Sequence, residues 1–512
     1  MAGHGLRQCL REVTAYLLLL VAVSTLGPLQ FGFHLAELNA PEDVITCRKK
    51  AVSTVSRITK WVTSTRPKKA RPPGFLSDCI PMTEAAFATI SSLFTLGALV
   101  GALAAGPFSS RRGRLPAMRI TAVLYAIGSL VEALAADAIV MSLGRFISGL
   151  GAGASTVIVP LYISEISPPN ERGLFGAMTQ VSINIGILFT QTLGYFLSHG
   201  HQWRWILGTG LCIAVVQAAG LFIVPESPTW LAAHGDAAKG KQTMQRIRGK
   251  GFDIQDEVAA WGQDRPSLSE HEGLLAGAEA SEPASPTSTT SRTDHLGFTQ
   301  VLKDPRYRPA IIAVVGIMFA QQICGINSVI MYSVSLFSGL FPTSSALLTI
   351  VISAVNLITT ASCAPLPDRL GRKTCLLLSI LGQGTSSLIL AFSVVFGIKI
   401  LSVVAVLCFV AFFAVGLGPV PFVLASELVG QEAVGATQSW ALGANFIATF
   451  LVAQFFPLIN TALNNALGGH GWVFFLFAVL AAGSALFVWR RVPETRGKKD
   501  MDEVWGRQRR LD

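Results

Sequence analysis

The sequence predicts an all-α membrane protein whose twelve transmembrane helices form two sets of six. Of its 512 residues, 51% are hydrophobic and only 14% are charged, whereas soluble proteins carry about 25% charged residues. Twelve apolar runs are long enough to cross a hydrocarbon core of about 30 Å, and one long polar segment separates the first six from the last six. Short charged motifs at the ends of these runs repeat between the two sets, which indicates an internal repeat.

The first apolar run, 13–35, follows a short N-terminal tail of residues 1–12. It is longer than the apolar segment of a secretory signal peptide, and it carries Gln30 and His34 near its end. We therefore interpret this run as the first transmembrane helix.

A long polar loop, 39–81, follows the first run and contains nine lysine and arginine residues. Cys47 and Cys79 flank its basic part, and a disulfide between them would imply an oxidising compartment. The spacing of the two cysteines does not by itself fix that pairing.

The remaining apolar runs complete two sets around a polar centre. The first set, 13–230, continues with runs at 84–107, 115–136, 138–163, 174–197 and 203–224. Residues 231–306 are polar, basic and helix-compatible at first and then rich in Ser, Thr and Pro, so we expect a loop that is helical and then partly disordered. The second set, 307–491, contains runs at 308–337, 343–366, 374–395, 399–424, 433–457 and 471–490. Residues 492–512 form a short charged tail.

Basic residues in the short loops predict which side of the membrane is cytoplasmic. They follow runs 2, 8 and 12, on the same side as both termini and the central loop: Arg111, Arg112, Arg114, Arg119, Arg369, Arg372, Lys373, Arg490, Arg491, Arg496, Lys498 and Lys499. An excess of Lys and Arg in short loops marks the cytoplasmic side, and long loops such as 39–81 cross despite their charge. We therefore attribute the formal charge of +10 to the basic loops that set the membrane topology, and we expect no nucleic-acid partner.

Two motifs recur at matching positions in the two sets. Arg111-Arg112-Gly113-Arg114 after run 2 corresponds to the segment 368–373 after run 8, Asp-Arg-Leu-Gly-Arg-Lys. Pro225-Glu226-Ser227-Pro228 after run 6 corresponds to Pro493-Glu494-Thr495-Arg496-Gly497 after run 12. Repeats of this kind are typical of transporters whose substrate site lies between two halves, near the middle of the membrane.

With these motifs, the sequence resembles the sugar porter family of the major facilitator superfamily, the family of hexose facilitators and sugar–proton symporters. The resemblance covers about 27–497, apart from the two polar loops. It rests on the repeats above and on Gly144-Arg145-Phe146, Pro160, Tyr162, Glu165, Arg172-Gly173, Gln321-Gln322, Gly418-Pro419-Val420-Pro421 and Ser426-Glu427. It implies two six-helix bundles around a central cavity, and transport of a hexose or related sugar or polyol by alternating access.

Uncharged amides in the apolar runs are the candidate substrate ligands. Gln321, Gln322 and Asn327 lie in run 7, where an amide is costly unless it meets a partner or water. Amides offer donors and acceptors without charge, which suits a neutral polyhydroxylated ligand, although they could instead bridge helices. By resemblance, the sugar-binding set is Gln180, Gln321, Gln322, Asn327, Asn356, Asn445 and Phe422. Tyr332 matches the family's outer gate or is an interfacial aromatic residue.

The charged motif residues imply a second role, in gating. The resemblance suggests that they form an inner salt-bridge network that locks the two bundles together while the cavity faces outward. Its members would be Arg111, Arg114, Arg145, Glu165, Arg172, Glu226, Asp368, Arg369, Arg372, Glu427 and Glu494. The alternative is that the basic residues only set the topology.

Several positions depart from the family pattern. His34 lies where proton-coupled members carry Asp and facilitators usually carry Asn. Facilitated diffusion is therefore the expected mechanism, and proton symport remains an alternative because histidine titrates near neutral pH. Sugar preference, turnover and the inner lock of the second half stay open, since the other departures are Ser110, Ala414, Phe422, Val434 and Phe446.

Other functional classes have less support in the sequence. No Walker loop, nucleophile elbow or zinc-binding helix is present, and no acid–base pair was identified in the apolar runs, so we expect no enzyme, cofactor or metal. A sugar sensor of the same fold is the remaining alternative. We expect a multi-pass protein of the plasma membrane or a vacuolar or other organelle membrane. Its partners would be a small sugar and the lipid bilayer, and a monomer would suffice for transport.

Overall fold

The computed structural model describes residues 13–48, 78–168, 171–249, 252–255, 257–259, 298–338, 345–430, 433–498 and 501–506. The predicted tail 1–12, most of the loop 39–81 and the predicted disordered part of the central loop lie outside these residues. The side chain of Arg172 also lies outside them, although the backbone at this position is helical.

The described chain is built from long helices, as the apolar runs predict. We number them α1 to α12: Ala15–Ala36, Glu84–Arg112, Arg114–Ala133, Ala138–Ile166, Arg172–Leu197, Trp203–Gly220, Arg308–Val334, Ser345–Cys363, Arg372–Val395, Lys399–Glu427, Val434–Leu467 and Trp472–Arg491. Ten of them are long and apolar enough to cross a membrane, and α5 and α6 are the other two. Short helices at Glu42–Ile45, Pro228–Ala233, Ala237–Arg248, Phe298–Lys303, Leu366–Leu370 and Met501–Val504 lie between or after them.

Two of the long helices are interrupted at the depth where the candidate site lies. Helix α7 breaks at Gly325, whose φ of 98° lies in the left-handed region that favours glycine. Helix α10 contains a π-helical turn, Phe413–Leu417, followed by Pro419 and Pro421. Proline has no N–H group, so Pro421 cannot donate to the carbonyl four residues earlier, that of Leu417. The break in α10 leaves backbone carbonyls free to accept hydrogen bonds from side chains.

Glycines allow α2 and α4 to pack with their backbones in contact. Gly97 and Gly101 on α2 lie against the backbone of α4, and Gly149 and Gly153 on α4 lie against the backbone of α2. Small residues permit such close approach in a membrane, where apolar burial does not drive helices together. This pair fixes the centre of the first half, and α2 also packs along α11 of the second half.

We call the membrane side near Cys47 and Cys79 the disulfide side, since these two cysteines are bonded there with a Cα–Cα distance of 5.3 Å. The opposite side carries the turns at Gly113 and Gly371, and we call it the arginine side. The repeated arginine motifs of the sequence follow helix ends on that side.

Hydrogen bonds join the two halves on the disulfide side. Asn39, just after α1, donates to the carbonyl of Ile330 (2.9 Å) and to Ser333 Oγ (2.8 Å), and its Oδ1 accepts from Val334 N–H (3.1 Å). We call these three bonds the Asn39 latch. Nearby, Ser92 of α2 donates to Gln454 of α11 (2.8 Å). The protein is therefore closed between its halves on this side.

Replacement of Gly153 by alanine should destabilise the fold. An added Cβ would collide with the carbonyl oxygen of Ala98, which belongs to a backbone that cannot yield easily. Overpacking of this kind costs about 1–3 kcal/mol, so we expect a lower thermal midpoint in detergent for Gly153→Ala. Gly106→Ala on α2 is the matched control, because nothing lies within 4 Å of its added Cβ. Equal midpoints for the two variants would contradict the close packing of α2 and α4.

Removal of the Asn39 latch should open the disulfide side. We expect Asn39→Ala to shift the distance distribution between spin labels at Ser198 and Leu467 toward longer distances, because the variant loses all three bonds between the halves at this position. Double electron–electron resonance measures this distance, in a background where Cys212, Cys363 and Cys408, and also Cys9 outside the described residues, are serine.

The matched control for the latch is Asn460→Ala. Asn460 also lies on the disulfide side, but its side-chain oxygen accepts from Asn464 on the same helix. An unchanged distribution in Asn39→Ala, or the same shift in both variants, would show that the latch does not hold the halves together.

Candidate functional site

Gln321 ties α7 to the interrupted part of α10. Its Nε2 donates to the carbonyl oxygens of Leu417 (2.6 Å) and Gly418 (3.1 Å). The Leu417 carbonyl is the one that Pro421 leaves without a helical partner. Gln321 is only 3% exposed. A buried polar group requires a hydrogen-bond partner, and these two carbonyls provide it for the Gln321 side chain.

Three further predicted amides join Gln321 in one hydrogen-bonded group, which we call the amide cluster. Asn445 of α11 donates to Gln321 Oε1 (2.5 Å), and Gln322 donates to the same oxygen (3.1 Å). Asn327, beyond the break in α7, donates to Gln322 Oε1 (2.6 Å). All four are buried, and Thr449 on α11 adds an oxygen 3.4 Å from Asn327 Nδ2. The cluster therefore bridges helices. Its donors and acceptors could also form hydrogen bonds with a neutral ligand in place of those between the amides.

The other two predicted amides form a separate group, which we call the interface group. Gln180 on α5 donates to Asn184 Oδ1 (3.3 Å), and Asn184 donates to Thr360 Oγ1 on α8 (2.9 Å). Thr360 donates in turn to Asn356 Oδ1 (3.3 Å). This series of hydrogen bonds crosses from the first half to the second. Sequence reasoning missed Asn184 and Thr360, although each lies one helical turn from a predicted amide and therefore on the same face.

The predicted aromatic residues differ in their surroundings. Tyr332 is 3% exposed, donates to the carbonyl of Ala453 (2.8 Å) and stacks on Phe456 at 5.7 Å between ring centroids. It is thus a buried contact between α7 and α11 rather than an interfacial residue. Phe422 is 41% exposed and does not lie within the buried amide cluster. Phe446 is buried beside Phe31 of the first half, in an edge-on contact at 6.2 Å.

On the arginine side of the first half, a carboxylate closes the turn between α2 and α3. Arg114 pairs with Glu165 at 2.7 Å through two guanidinium nitrogens. Glu226 accepts from the backbone N–H groups of Arg114 (2.9 Å) and Leu115. Gly113, with φ 100°, makes the turn that these groups surround. Arg114 of α3 is thus fastened to Glu165 of α4, and Glu226, which follows α6, binds the first N–H groups of α3.

The second half repeats this arrangement. Arg372 pairs with Glu427 at 2.9 Å and with Asp368 at 2.8 Å, and Glu494 accepts from the backbone N–H of Arg372 (2.8 Å). Gly371 has the same φ of 100° as its counterpart. The structure therefore places the repeated motifs in equivalent three-dimensional settings.

In this conformation, the contacts of the predicted inner network lie within each half. The predicted lock concerns a cavity that faces outward, so it stays a prediction. Arg114 and its glutamates belong to the first half, and Arg372 and its glutamates belong to the second. Each repeated motif lies between consecutive helices of one bundle. The pairs therefore fasten helices within a half. Among the described residues, these pairs do not join the halves to each other in this conformation. Arg111 and Arg369 are exposed, and the side chain of Arg172 lies outside the described residues.

Arg145 was predicted to belong to the same network, and that prediction is wrong. It lies twenty residues before Glu165 on one continuous helix, which separates the two by about 30 Å at 1.5 Å per residue. Instead, Arg145 bonds to Glu37 and to the carbonyl of His34 (2.7 Å), and lies 3.9 Å from Glu132.

We call His34, Glu37, Glu132 and Arg145 the ionic cluster. His34 Nδ1 lies 2.9 Å from Glu37 Oε1, and its ring stacks on Tyr125 at 5.4 Å. The expectation that the apolar runs hold no acid–base pair was therefore wrong. The available signal was a lone Glu132 in run 3 and an acid three residues after His34, which a helix places on the same face.

Known proteins resemble the whole chain. Residues 20–505 match the family model described as "Sugar (and other) transporter". A probable metabolite transport protein of Saccharomyces cerevisiae is 33% identical over 99% of this chain and 98% of its own. The human facilitated glucose transporter member 4 is 30% identical over 95% of this chain and 90% of its own.

A solved structure has the same fold. The xylose transporter XylE from E. coli, in a partially occluded inward-open conformation, superposes with a TM-score of 0.72 at 21% sequence identity. The superposition covers 95% of this chain and all of the other. This chain therefore has the major facilitator fold and belongs to the sugar transporter family of multi-pass membrane proteins.

Proposed function

We propose that this protein carries a hexose or related sugar or polyol across a membrane by alternating access. The observation that carries the proposal is the convergence of Gln321, Gln322, Asn327 and Asn445, four buried and uncharged amides, at the breaks of α7 and α10. A neutral polyhydroxylated ligand can replace these mutual hydrogen bonds one for one, so its entry leaves no amide unsatisfied.

The interface group supports the same proposal from the other half. Gln180 and Asn356 lie on helices that face each other across the two halves and are linked through one hydrogen bond, from Asn184 to Thr360. A ligand that binds both groups would bridge the halves and draw them together. That difference in contacts between two conformations is what allows a ligand to drive a conformational change.

Within the proposed cycle, we assign the structure to a conformation that is closed on the disulfide side, because the Asn39 latch joins the two halves there. With the disulfide side closed, access to the amides would be from the arginine side. Alternation would require the latch to break and the arginine-side ends of the halves to approach. The interactions of Arg114 and Arg372 within each half would keep each bundle rigid during this movement.

Two features of topology belong to the proposal. We assign the arginine side, both termini and the central loop to the cytoplasm, following the basic short loops. The disulfide side then faces the cell exterior or an organelle lumen, where a disulfide between Cys47 and Cys79 is stable. The membrane is the plasma membrane or a vacuolar or other organelle membrane, and a monomer contains both halves of the site.

Gln321→Ala and Asn356→Ala should each lose most transport while still reaching the membrane. A buried polar group left unsatisfied costs about 1–3 kcal/mol, so we expect uptake of the best substrate to fall about tenfold or more. Uptake is measured in vesicles containing the purified protein, with a panel of labelled hexoses, pentoses and polyols.

Asn460→Ala is the control for these two variants, because it removes an amide of the same kind outside both groups. Normal uptake in both site variants would remove the proposed site. Saturable sugar binding without any uptake by the unmodified protein would instead identify a sensor of this fold.

A further inference from the structure

The interruption of α10 is a single π-helical turn, Phe413–Leu417, between two α-helical segments. In this turn the N–H of Gly418 donates to the carbonyl of Phe413, five residues earlier, at 2.9 Å. Such turns are rare and occur mostly as isolated bulges, frequently at functional sites. The carbonyls of Leu417 and Gly418 at its end accept from Gln321, so the turn presents the acceptors on which the amide cluster is built.

A hydroxyl from the neighbouring helix bonds to both ends of this turn. Ser379 of α9 donates to the carbonyl of Phe412 (2.6 Å) and accepts from the N–H of Leu417 (2.9 Å). These two backbone groups are five residues apart, which is the spacing that a π-helical hydrogen bond joins. Ser379 has no exposed surface, and backbone groups buried at such a position need a partner. The Ser379 hydroxyl therefore satisfies both ends of the bulge.

Gly416 brings the π-turn into direct contact with α9. A Cβ at this position would collide with the carbonyl of Cys375 and would lie 3.1 Å from the Cβ of Ser379. Cys375 and Ser379 are about one helical turn apart on α9, so they form one face on which the π-turn packs. Because Gly416 has no side chain, the short side chain of Ser379 can reach the backbone of α10.

The equivalent position in the first half makes a different bond. Thr121 lies seven residues after Arg114 on α3. Ser379 lies at the same distance from Arg372 on α9. The Thr121 hydroxyl donates to the carbonyl of Met118 in its own helix (2.7 Å), and α4, the counterpart of α10, is one continuous α-helix. The bond to the neighbouring helix and the π-turn therefore occur together, in the half that holds the amide cluster.

We infer that Ser379 is a positioning residue for the substrate site, because its hydroxyl holds α10 in the π-turn that presents the carbonyls of Leu417 and Gly418 to Gln321. This inference rests on the proposed function as a carrier. Ser379 acts through the backbone of α10 and not by contact with the sugar. A π-helical hydrogen bond spans one residue more than an α-helical one. Closure of the bulge would therefore turn the two carbonyls by about 100° around the helix axis, away from Gln321.

Loss of the Ser379 hydroxyl should weaken sugar binding. Ser379→Ala leaves the Phe412 carbonyl and the Leu417 N–H without their partner, so we expect the π-turn to be lost. In vesicles with equal sugar on both sides, we expect the KM for exchange of the best sugar of the panel to rise about tenfold. The maximal rate should change much less. A merely structural defect would lower the amount of folded carrier, which reduces the maximal rate and leaves KM unchanged.

Ser387→Ala is the matched control for this variant. Ser387 is also a buried serine of α9, but its hydroxyl donates to the carbonyl of Phe474 on α12 (2.8 Å), so KM should not change. Ser379→Ala combined with Gln321→Ala tests the route of the effect. Once Gln321 is absent, loss of the Ser379 hydroxyl should raise KM no further. Ser379→Cys decides if Ser379→Ala does not reach the membrane, because a thiol makes only weak hydrogen bonds and should raise KM as well.

Three results would overturn the inference and leave the carrier intact. The first is an unchanged KM in Ser379→Ala, and the second is an equal rise in Ser379→Ala and Ser387→Ala. The third is a full, additive effect of Ser379→Ala in the absence of Gln321. Absence of exchange in the unmodified protein would instead overturn the carrier itself.

Electron cryomicroscopy of Ser379→Ala provides a readout that needs no sugar. We expect α10 without its π-turn, and the Leu417 carbonyl oxygen more than about 3.5 Å from Gln321 Nε2, beyond hydrogen-bond distance. The same variant with the π-turn and the bond from Gln321 to Leu417 both retained would show that Ser379 does not hold this turn.

Discussion

The hydrogen bonds from Gln321 to the carbonyls of Leu417 and Gly418 are the interaction on which the candidate site depends. They exist because a π-helical turn and Pro421 interrupt α10 and leave a carbonyl without a partner within the helix. In a membrane such a carbonyl must be satisfied by protein or by a water-filled cavity. Gln321 satisfies it, and its own oxygen then collects Gln322 and Asn445. The irregular backbone and the uncharged amide cluster are thus two consequences of one requirement.

The two halves use the same backbone scaffold for different chemistry. Gly113 and Gly371 adopt the same conformation, and Glu226 and Glu494 accept from equivalent backbone N–H groups. Beyond these turns the repeat diverges. The second half provides the amide cluster, whose members carry no charge, whereas the first half buries the ionic cluster. The repeat therefore preserves the turns at the ends of the helices, while the polar groups buried in the two halves differ in charge.

The sequence contained enough information for the helices and for the repeated motifs, because both depend on local patterns. Apolar length predicts the helices, and Gly113 and Gly371 mark turns that a glycine permits. The partners of Arg145 were not predictable in this way, since Glu37 lies 108 residues away and only the fold brings them together. The family pattern placed Arg145 with the cytoplasmic arginines by motif, whereas twenty helical residues place it far from them. Likewise, the hydrogen bonds that the four amides of the amide cluster make to one another depend on the conformation of the protein, which residue type does not specify.

The Asn39 latch lies between the ionic cluster of the first half and the amide cluster of the second. Asn39 follows Glu37 by two residues and binds the backbone of α7 just beyond the amides of that helix. The latch therefore joins the end of α1, near the ionic cluster, to the helix that carries Gln321, Gln322 and Asn327. Any movement that separates these two elements must break the same three hydrogen bonds. Coupling through a contact that either forms or breaks needs no continuous chain of interacting residues between the two halves.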